Sequence, residues 1–375
     1  MLRARLLPVL CLIVIPATLH AEPFRYEEAK HGKGELKYIN DVPVLRLEGK
    51  PTEIGEQMAV LASKPAGKLL GYPRDFLRKI KLEATWPLVL TLGKSLLPHF
   101  PPDHLTELET GAKTAGVDRD LLIAGNTMFD IKKFIACSTL IVEPQRSATK
   151  GMVFGRNLDF PTLGYLNDFS MVIVCKPEGK RAFAVVSFPG YIGALSGMND
   201  AGLALAVLES YSANDNSLKF DAEGTPYALC FRRLLEECST VEEAEKLLRT
   251  MKRTTRISLA ICDAKTAAVF EITPKTVAVR KAENGICAAT NHFRTQELST
   301  TTKCWRYPLL EKTKEIEKPT VADVAKKLDE VNQGENTLQS MIFEPNELKL
   351  HIALGKPPTS ALPMKTLDLA PLLKK

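Results

Sequence analysis

Three residues with complementary chemistry fall close together in the chain: Cys137, Arg156 and Asp159. A short apolar stretch, Ile135-Ala136, runs into Cys137-Ser138-Thr139-Leu140, so a small residue directly precedes a thiol. Ser138 to Val142 is apolar and β-prone, Glu143 to Gly151 is a polar turn holding Pro144 and Gly151, and Met152 to Phe154 is β-prone again. Gly155-Arg156-Asn157-Leu158-Asp159-Phe160 follows. The two pieces predict a hairpin, and a hairpin brings its far ends together, which places Arg156 and Asp159 beside Cys137 across one sheet edge. A guanidinium next to a thiol favours the thiolate. The layout is that of a nucleophile that cuts its own chain. A cysteine released as a new N-terminus carries an α-amine with an ordinary pKa of about 7.7 to 8.0, close enough to neutrality to take the thiol proton. The competing readings are a buried structural cysteine and a plain surface ion pair on a turn.

These residues need strands and helices to position them. Upstream, Glu35 to Leu47 alternates as a strand pair around Asn40-Asp41, and helical patterns cover Pro51 to Lys81, Glu83 to Leu97 and Pro102 to Ala115. A further helical stretch over Asp118 to Ala136, with Asn126 inside it, is expected to run straight into Cys137. Downstream come strands over Met171–Cys175, Arg181–Ser187, Leu195–Met198 and Leu203–Leu208, the last two joined by the turn Asn199-Asp200-Ala201-Gly202. Amphipathic helices are predicted over Pro226–Cys238 and Val241–Thr250, the second capped by Ser239 or Thr240. Strands at Ile257–Cys262, Ala267–Thr273, Thr276–Lys281 and Ile286–Thr290, a helix at Pro319–Val331, and strands at Leu338–Phe343 and Lys349–Leu354 complete the pattern. Strand blocks and helix pairs that do not alternate singly argue for an α+β chain of packed antiparallel sheets with outer helices.

Ala136-Cys137-Ser138-Thr139, then Gly155 to Phe160, then Ala289-Thr290-Asn291-His292-Phe293 followed by Arg306, resemble the cysteine N-terminal-nucleophile (Ntn) hydrolases. The likeness is in particular to the C45 family of penicillin acyl-CoA acyltransferases, with acid ceramidase and the choloylglycine and penicillin V hydrolases as relatives, and it runs from about Gly49 to near the C-terminus. It implies the four-layer αββα sandwich of those enzymes and self-cleavage between Ala136 and Cys137. Residues 22–136 would become a small, mostly helical subunit that stays bound, and 137–375 the catalytic large subunit. The implied catalytic residues are Cys137, Arg156, Asp159, Asn291 and Arg306. Asp159 would orient the α-ammonium and thiol, Arg156 would hold the thiolate and the carbonyl region of the substrate, and Asn291 would donate a side-chain N–H to the oxyanion. A serine usually stands a few residues before the last arginine, whereas this chain reads Thr301-Thr302-Lys303-Cys304-Trp305-Arg306, and Arg294 is the rival for that role. His292 is not needed as a base, since the amine serves. The implied activity is an amidohydrolase or acyltransferase that cleaves a nonpeptide C–N amide bond through a thioester on Cys137. A noncatalytic ligand-binding relative and a cysteine peptidase are the alternatives, the latter lacking the flanking Gly and Trp around its Cys.

Met1 to Ala21 has Arg3 and Arg5, the apolar run Leu6 to Ala17 and a small final residue, the pattern of a secretory signal peptide cut after Ala21. Export to a periplasm or the outside is therefore expected, and no later apolar run is long enough to span a bilayer, so the mature protein should be soluble. An apolar fraction of 45% over 375 residues suffices for a real core. The net charge of +6 is mild, and Arg78-Lys79-Lys81 and Arg232-Arg233 lie within amphipathic patterns, which argues against nucleic-acid binding. Seven cysteines remain past Ala21, none with C-x-x-C spacing, and the histidines are scattered, so neither a metal nor another cofactor is expected. The expected partner is a small amide or acyl molecule, and loose contact with a membrane or lipid substrate is compatible with it. Nothing in the spacing sets an oligomeric state.

Overall fold

The computed structural model describes residues 24–131, 133, 136–300 and 303–374. The expected signal peptide lies outside the described residues. The chain opens with strands β1 (Ala29–His31), β2 (Gly34–Ile39) and β3 (Val42–Gly49). Asn40 and Asp41 turn β2 into β3 with φ of 50° and 61°, left-handed values that short polar side chains tolerate. Helices α1 (Pro51–Met58), α2 (Tyr72–Lys79), α3 (Trp86–Ser95), α4 (Pro102–Ala115) and α5 (Arg119–Ile131) follow. The pattern that predicted one helical region from Pro51 to Lys81 is broken into short pieces between α1 and α2. Next come β4 (Ala136–Val142), β5 (Val153–Asp159), β6 (Met171–Pro177), β7 (Phe183–Ser187), β8 (Ser196–Asn199) and β9 (Ala204–Glu209). Helices α6 (Tyr227–Glu237) and α7 (Val241–Thr250) precede β10 (Ile257–Cys262), β11 (Ala267–Ile272), β12 (Val277–Lys281) and β13 (Ile286–Ala289). The chain finishes with α8 (Arg306–Glu311), α9 (Val321–Glu330), β14 (Thr337–Glu344), β15 (Lys349–Ala353), β16 (Lys365–Asp368) and α10 (Ala370–Leu373). Thr240 caps α7 by accepting from the Glu243 N–H, and Thr320 and Asp323 form a reciprocal capping box on α9.

The strands form two sheets, one in the order β1-β2-β3-β6-β7-β8-β9-β10-β11-β12 and one in the order β13-β4-β5-β14-β15-β16. Their inner faces pack on each other, with Ile141, Phe154, Leu158 and Phe343 of the smaller sheet meeting Leu205, Val207, Leu259 and Phe270 of the larger. On the outer face of the smaller sheet, Leu140, Val142 and Val153 pack under Val324 and Leu328 of α9 and Leu310 of α8. Helices α6 and α7 cover the other sheet, which completes an αββα stack in an α+β chain. The two-residue period of a strand thus sends Cys137 and Ile141 between the sheets and Leu140 and Val142 toward α9. Gly155 is where α9 comes nearest: a Cβ there would lie 2.5 Å from the Val324 side chain.

Three expectations need correction. Helix α5 stops at Ile131, and Ala136 and Cys137 already belong to β4, because the β-prone run pairs with β5 in the register Cys137↔Leu158 and Ala136↔Asp159. The hairpin is not at a sheet edge either, since β13 flanks β4 and β14 flanks β5. The larger sheet is not wholly antiparallel: β3 runs parallel to β6 over Val44–Gly49 and Val172–Pro177. Through that pairing the stretch ahead of Cys137 contributes three strands to a sheet otherwise built from later residues.

Candidate active site

Cys137 is fully buried at the second position of β4, and both of its backbone polar groups are held by side chains far along the sequence. Its N–H donates to Asn291 Oδ1 at 2.8 Å, and its carbonyl accepts from Arg306 Nη1 at 2.6 Å. Arg306 Nη2 donates to the same Asn291 Oδ1 at 2.8 Å, so one oxygen ties the arginine to the peptide nitrogen of the cysteine. Asn291 lies two residues beyond the end of β13, and Arg306 begins α8. The Asn291 side-chain amide donates to the Glu209 carbonyl at 2.9 Å. Asp159, across from Ala136 in the β4–β5 ladder, accepts from the Thr337 hydroxyl at 2.7 Å and sits 3.5 Å from Arg306 Nη1. Arg156 is fully buried, is opposite Thr139, and donates from Nε to the Ser196 hydroxyl at 2.6 Å. All five residues expected from the sequence therefore converge, and Arg306 rather than Arg294 reaches the cysteine. Arg294 instead stacks 3.4 Å over the Tyr307 ring.

The electrostatics differ from the expectation of a thiolate. Burial pushes the Cys137 thiol up to about 11; Arg156 pulls it down, and Asp159 and Glu209 push it further up. Desolvation outweighs the guanidinium, so the thiol is protonated at neutral pH. Burial also raises Asp159 to about 6, against the opposing effects of the Thr337 hydroxyl, Arg306 and Arg156. His292 is half-buried, and burial with Arg294 and Arg306 nearby lowers its pKa, which keeps it uncharged at neutral pH.

Several groups at the site were not anticipated. Glu209 ends β9, is fully buried, and lies near Cys137 and Tyr211. Its signal was legible, as a carboxylate directly after the apolar run Leu203–Leu208 is out of place in a core strand. Thr337 and Ser196, which fix Asp159 and Arg156, gave no such signal. An apolar pocket of about 90 Å³, lined by Tyr72, Leu122, Met128, Phe129, Phe160 and Tyr191 among others, lies between the N-terminal helices and the loops after β5 and β7. The cysteines 137, 175, 230, 238, 262, 287 and 304 are free thiols, and among the described residues no group of His, Cys, Asp or Glu is arranged to hold a metal.

A family model described as acyl-coenzyme A:6-aminopenicillanic acid acyl-transferase matches residues 146–359, a stretch that holds Arg156, Asp159, Asn291 and Arg306 and begins just after Cys137. An uncharacterised protein of Archaeoglobus fulgidus is 23% identical over 282 residues, which is 66% of this chain and 45% of that protein. The acid ceramidase of Pan troglodytes is 28% identical over 178 residues, 42% of this chain and 43% of the ceramidase. The match thus spans less than half the length of either relative. Among solved structures, the N-acylethanolamine-hydrolyzing acid amidase ortholog of Caenorhabditis elegans superposes with a TM-score of 0.46 at 17% identity, covering 62% of this chain and all of that one.

Proposed function

The chain belongs to the acyl-coenzyme A:6-aminopenicillanic acid acyl-transferase family, and on that premise we propose that it is a self-processing cysteine amidohydrolase or acyltransferase with Cys137 as nucleophile. The observation that carries the proposal is the double grip on Cys137: its nitrogen is already bonded to Asn291 and its carbonyl to Arg306. Any buried backbone group needs a partner, but here both partners are polar side chains from beyond the β13 ladder, placed to hold an α-amine once the bond is cut. In the first step the Cys137 sulfur adds to the Ala136 carbonyl carbon, the C–N bond breaks as the C–S bond forms, and the freed amine takes the proton. Water then opens the thioester, leaving an Ala136 carboxylate, a free thiol and a free α-amine. That amine supplies the base that the uncut chain lacks, which matters because the buried thiol is otherwise protonated.

In turnover the α-amine takes the thiol proton and the thiolate adds to the amide carbonyl of the substrate. The oxyanion is assigned to the side-chain amide of Asn291. Collapse expels the amine, which leaves with the proton from the α-ammonium, and water or an acceptor amine resolves the thioester. Arg156 stands beside the sulfur, and Asp159 with Arg306 fixes the amine end. The apolar pocket and the names of the family and the ceramidase relative support an acyl amide as substrate. Export through the N-terminal segment is part of the proposal and is checked by a mature chain beginning at Glu22. The deciding experiment is intact mass and N-terminal sequencing of the purified protein: a fragment starting at Cys137, absent in Cys137→Ala, is expected. A folded wild-type chain that stays whole would remove the reading.

A further inference from the structure

Buried polar groups that the proposed chemistry does not use gather on one side of Cys137. Asp130, near the end of α5, is 2% exposed; its Oδ1 accepts from the Tyr227 N–H at 2.9 Å and from the Thr254 hydroxyl, while Oδ2 has no hydrogen-bond partner among the described residues. The hydroxyls of Tyr191 and Tyr227, residues 8% and 2% exposed, are likewise without a partner among the described residues. Asp130 and Glu209 both lie near enough to these phenols to disfavour their ionisation. Into this group comes Lys133, four residues ahead of Cys137. Its Nζ is shut off from solvent, is without a hydrogen-bond partner among the described residues and stands 5.7 Å from the centre of the Tyr227 ring; burial lowers its pKa, and the Glu209 and Asp130 carboxylates oppose that by favouring the charged form. An ammonium out of water costs several kcal/mol unless anions and oriented dipoles offset it. Two carboxylates, two hydroxyls and an aromatic face are a set of groups suited to that task.

We infer that Asp130, Glu209, Tyr191 and Tyr227 form an internal ammonium site whose occupant is Lys133, and that this tether positions the Ala136–Cys137 bond for self-cleavage. The inference rests on the self-processing reading above. Downstream of the bond, Asn291 and Arg306 grip Cys137. Upstream, α5 has ended at Ile131, and the β4–β5 ladder reaches the acyl side of the bond only through its first pair, Ala136↔Asp159. Lys133 supplies that second grip. Attack demands reacting atoms about 3 to 3.5 Å apart, and a displacement of about 1 Å lowers rates by roughly a hundredfold.

The test follows self-cleavage in time, by denaturing gel and fragment mass, for the full chain carrying Lys133→Ala or Lys133→Arg. Lys133→Ala should cleave about 10- to 100-fold more slowly. Lys133→Arg should recover most of the rate, and so should n-propylammonium chloride added to Lys133→Ala, since it has the carbons and the nitrogen that the substitution removes. Propanol and sodium chloride at the same concentration should not. The rescued fragment must end in the Ala136 carboxylate; a propylamide would mean that the amine merely attacked the thioester and would overturn the inference. Lys133→Ala cleaving at the wild-type rate would overturn it too, as would a slow variant that neither arginine nor the amine restores. A wild-type chain that is never cut instead takes down the self-processing reading beneath it.

Discussion

Two clusters of buried charge lie in this protein, and they are built on opposite rules. Between α4 and α6, Arg232 donates to both Glu107 oxygens at 3.0 and 2.6 Å, to Glu236 at 2.8 Å and to the Ile192 carbonyl at 2.9 Å. Glu236 takes two further contacts at 3.0 Å, from His104 and Lys180. Every carboxylate oxygen and every guanidinium nitrogen of that Arg–Glu core has a partner, and His104 Nδ1 at its margin is the exception in the cluster among the described residues. Around Cys137, by contrast, Asp159 Oδ2 and Arg156 Nη2 have no hydrogen-bond partner among the described residues, and Asp130, Tyr191 and Tyr227 each keep one polar atom in the same condition. Saturation marks a cluster that holds elements together, and unsatisfied polar atoms mark one prepared to meet something else. The pKa directions agree. Burial works against Glu236, but Arg232, His104 and Lys180 hold its carboxyl well below the usual range, whereas burial wins at Asp159 and Asp130 and lifts both to about 6.

The contrast can be broken by substitution. Arg232→Met leaves the buried Glu107 carboxylate without its cation and Glu236 with only Lys180 and His104, and should lose about 3 to 5 kcal/mol of stability. Turnover per folded molecule should be unaffected, as read from urea denaturation beside active-site titration. Loss of turnover in the folded fraction would show that the α4–α6 cluster also serves the chemistry. Asn291→Ala should do the reverse and lower amide turnover by about two to three orders of magnitude, with little change in the denaturation midpoint; an unchanged rate would take Asn291 out of the oxyanion site.

Acidity separates the clusters by sign. Asp159 has a folded pKa of about 6 against an ordinary 3.8, so folding favours its proton: its contribution is fully present below the ordinary value and is lost as pH rises through about 6. Asp159→Asn cannot titrate. Its stability relative to wild type should therefore improve between pH 4 and pH 7, while the impairment of self-cleavage and turnover should be largest above about pH 6, where wild-type Asp159 is the anionic partner that the α-amine loses. Glu236 runs the other way, with a contribution present above its ordinary value and lost on acidification, so the penalty of Glu236→Gln should shrink as pH falls. Urea titrations at the two pH values that moved in the same direction for both variants would erase the distinction. The smallest effect is expected at Asp200, which pairs with Arg181 at 2.7 Å in a half-exposed setting. Asp200→Asn should change stability by about 0 to 1 kcal/mol and leave cleavage and turnover intact. Damage equal to that of Asp159→Asn would mean that the turn at Asp200, and not the end of β5 alone, holds a functional carboxylate.

Local information settled a good part of this protein before any packing was considered. The turn at Asn40-Asp41, the capped helix Val241–Thr250, the strand Ile257–Cys262 and the hairpin that faces Arg156 and Asp159 toward Cys137 all follow from period, turn chemistry and capping, which act over a few residues. Asn291 and Arg306 were reachable only through the resemblance of their motif, since the bonds they make to Cys137 bridge 154 and 169 positions. Where α5 stops was misread because the apolar run into Cys137 satisfies helix and strand alike, and only pairing with β5 and β13 decides between them. The thiol's protonation could not be read at all. A neighbouring arginine is visible in the chain, but the desolvation that outweighs it comes from two sheets closing over Cys137. The parallel β3–β6 pair, the meeting of Glu209, Asp130 and Lys133, and the saturation that separates the two charge clusters have the same origin. Sequence sets which groups are present and how each short segment bends, while burial and the partners brought from distant segments set what those groups can do.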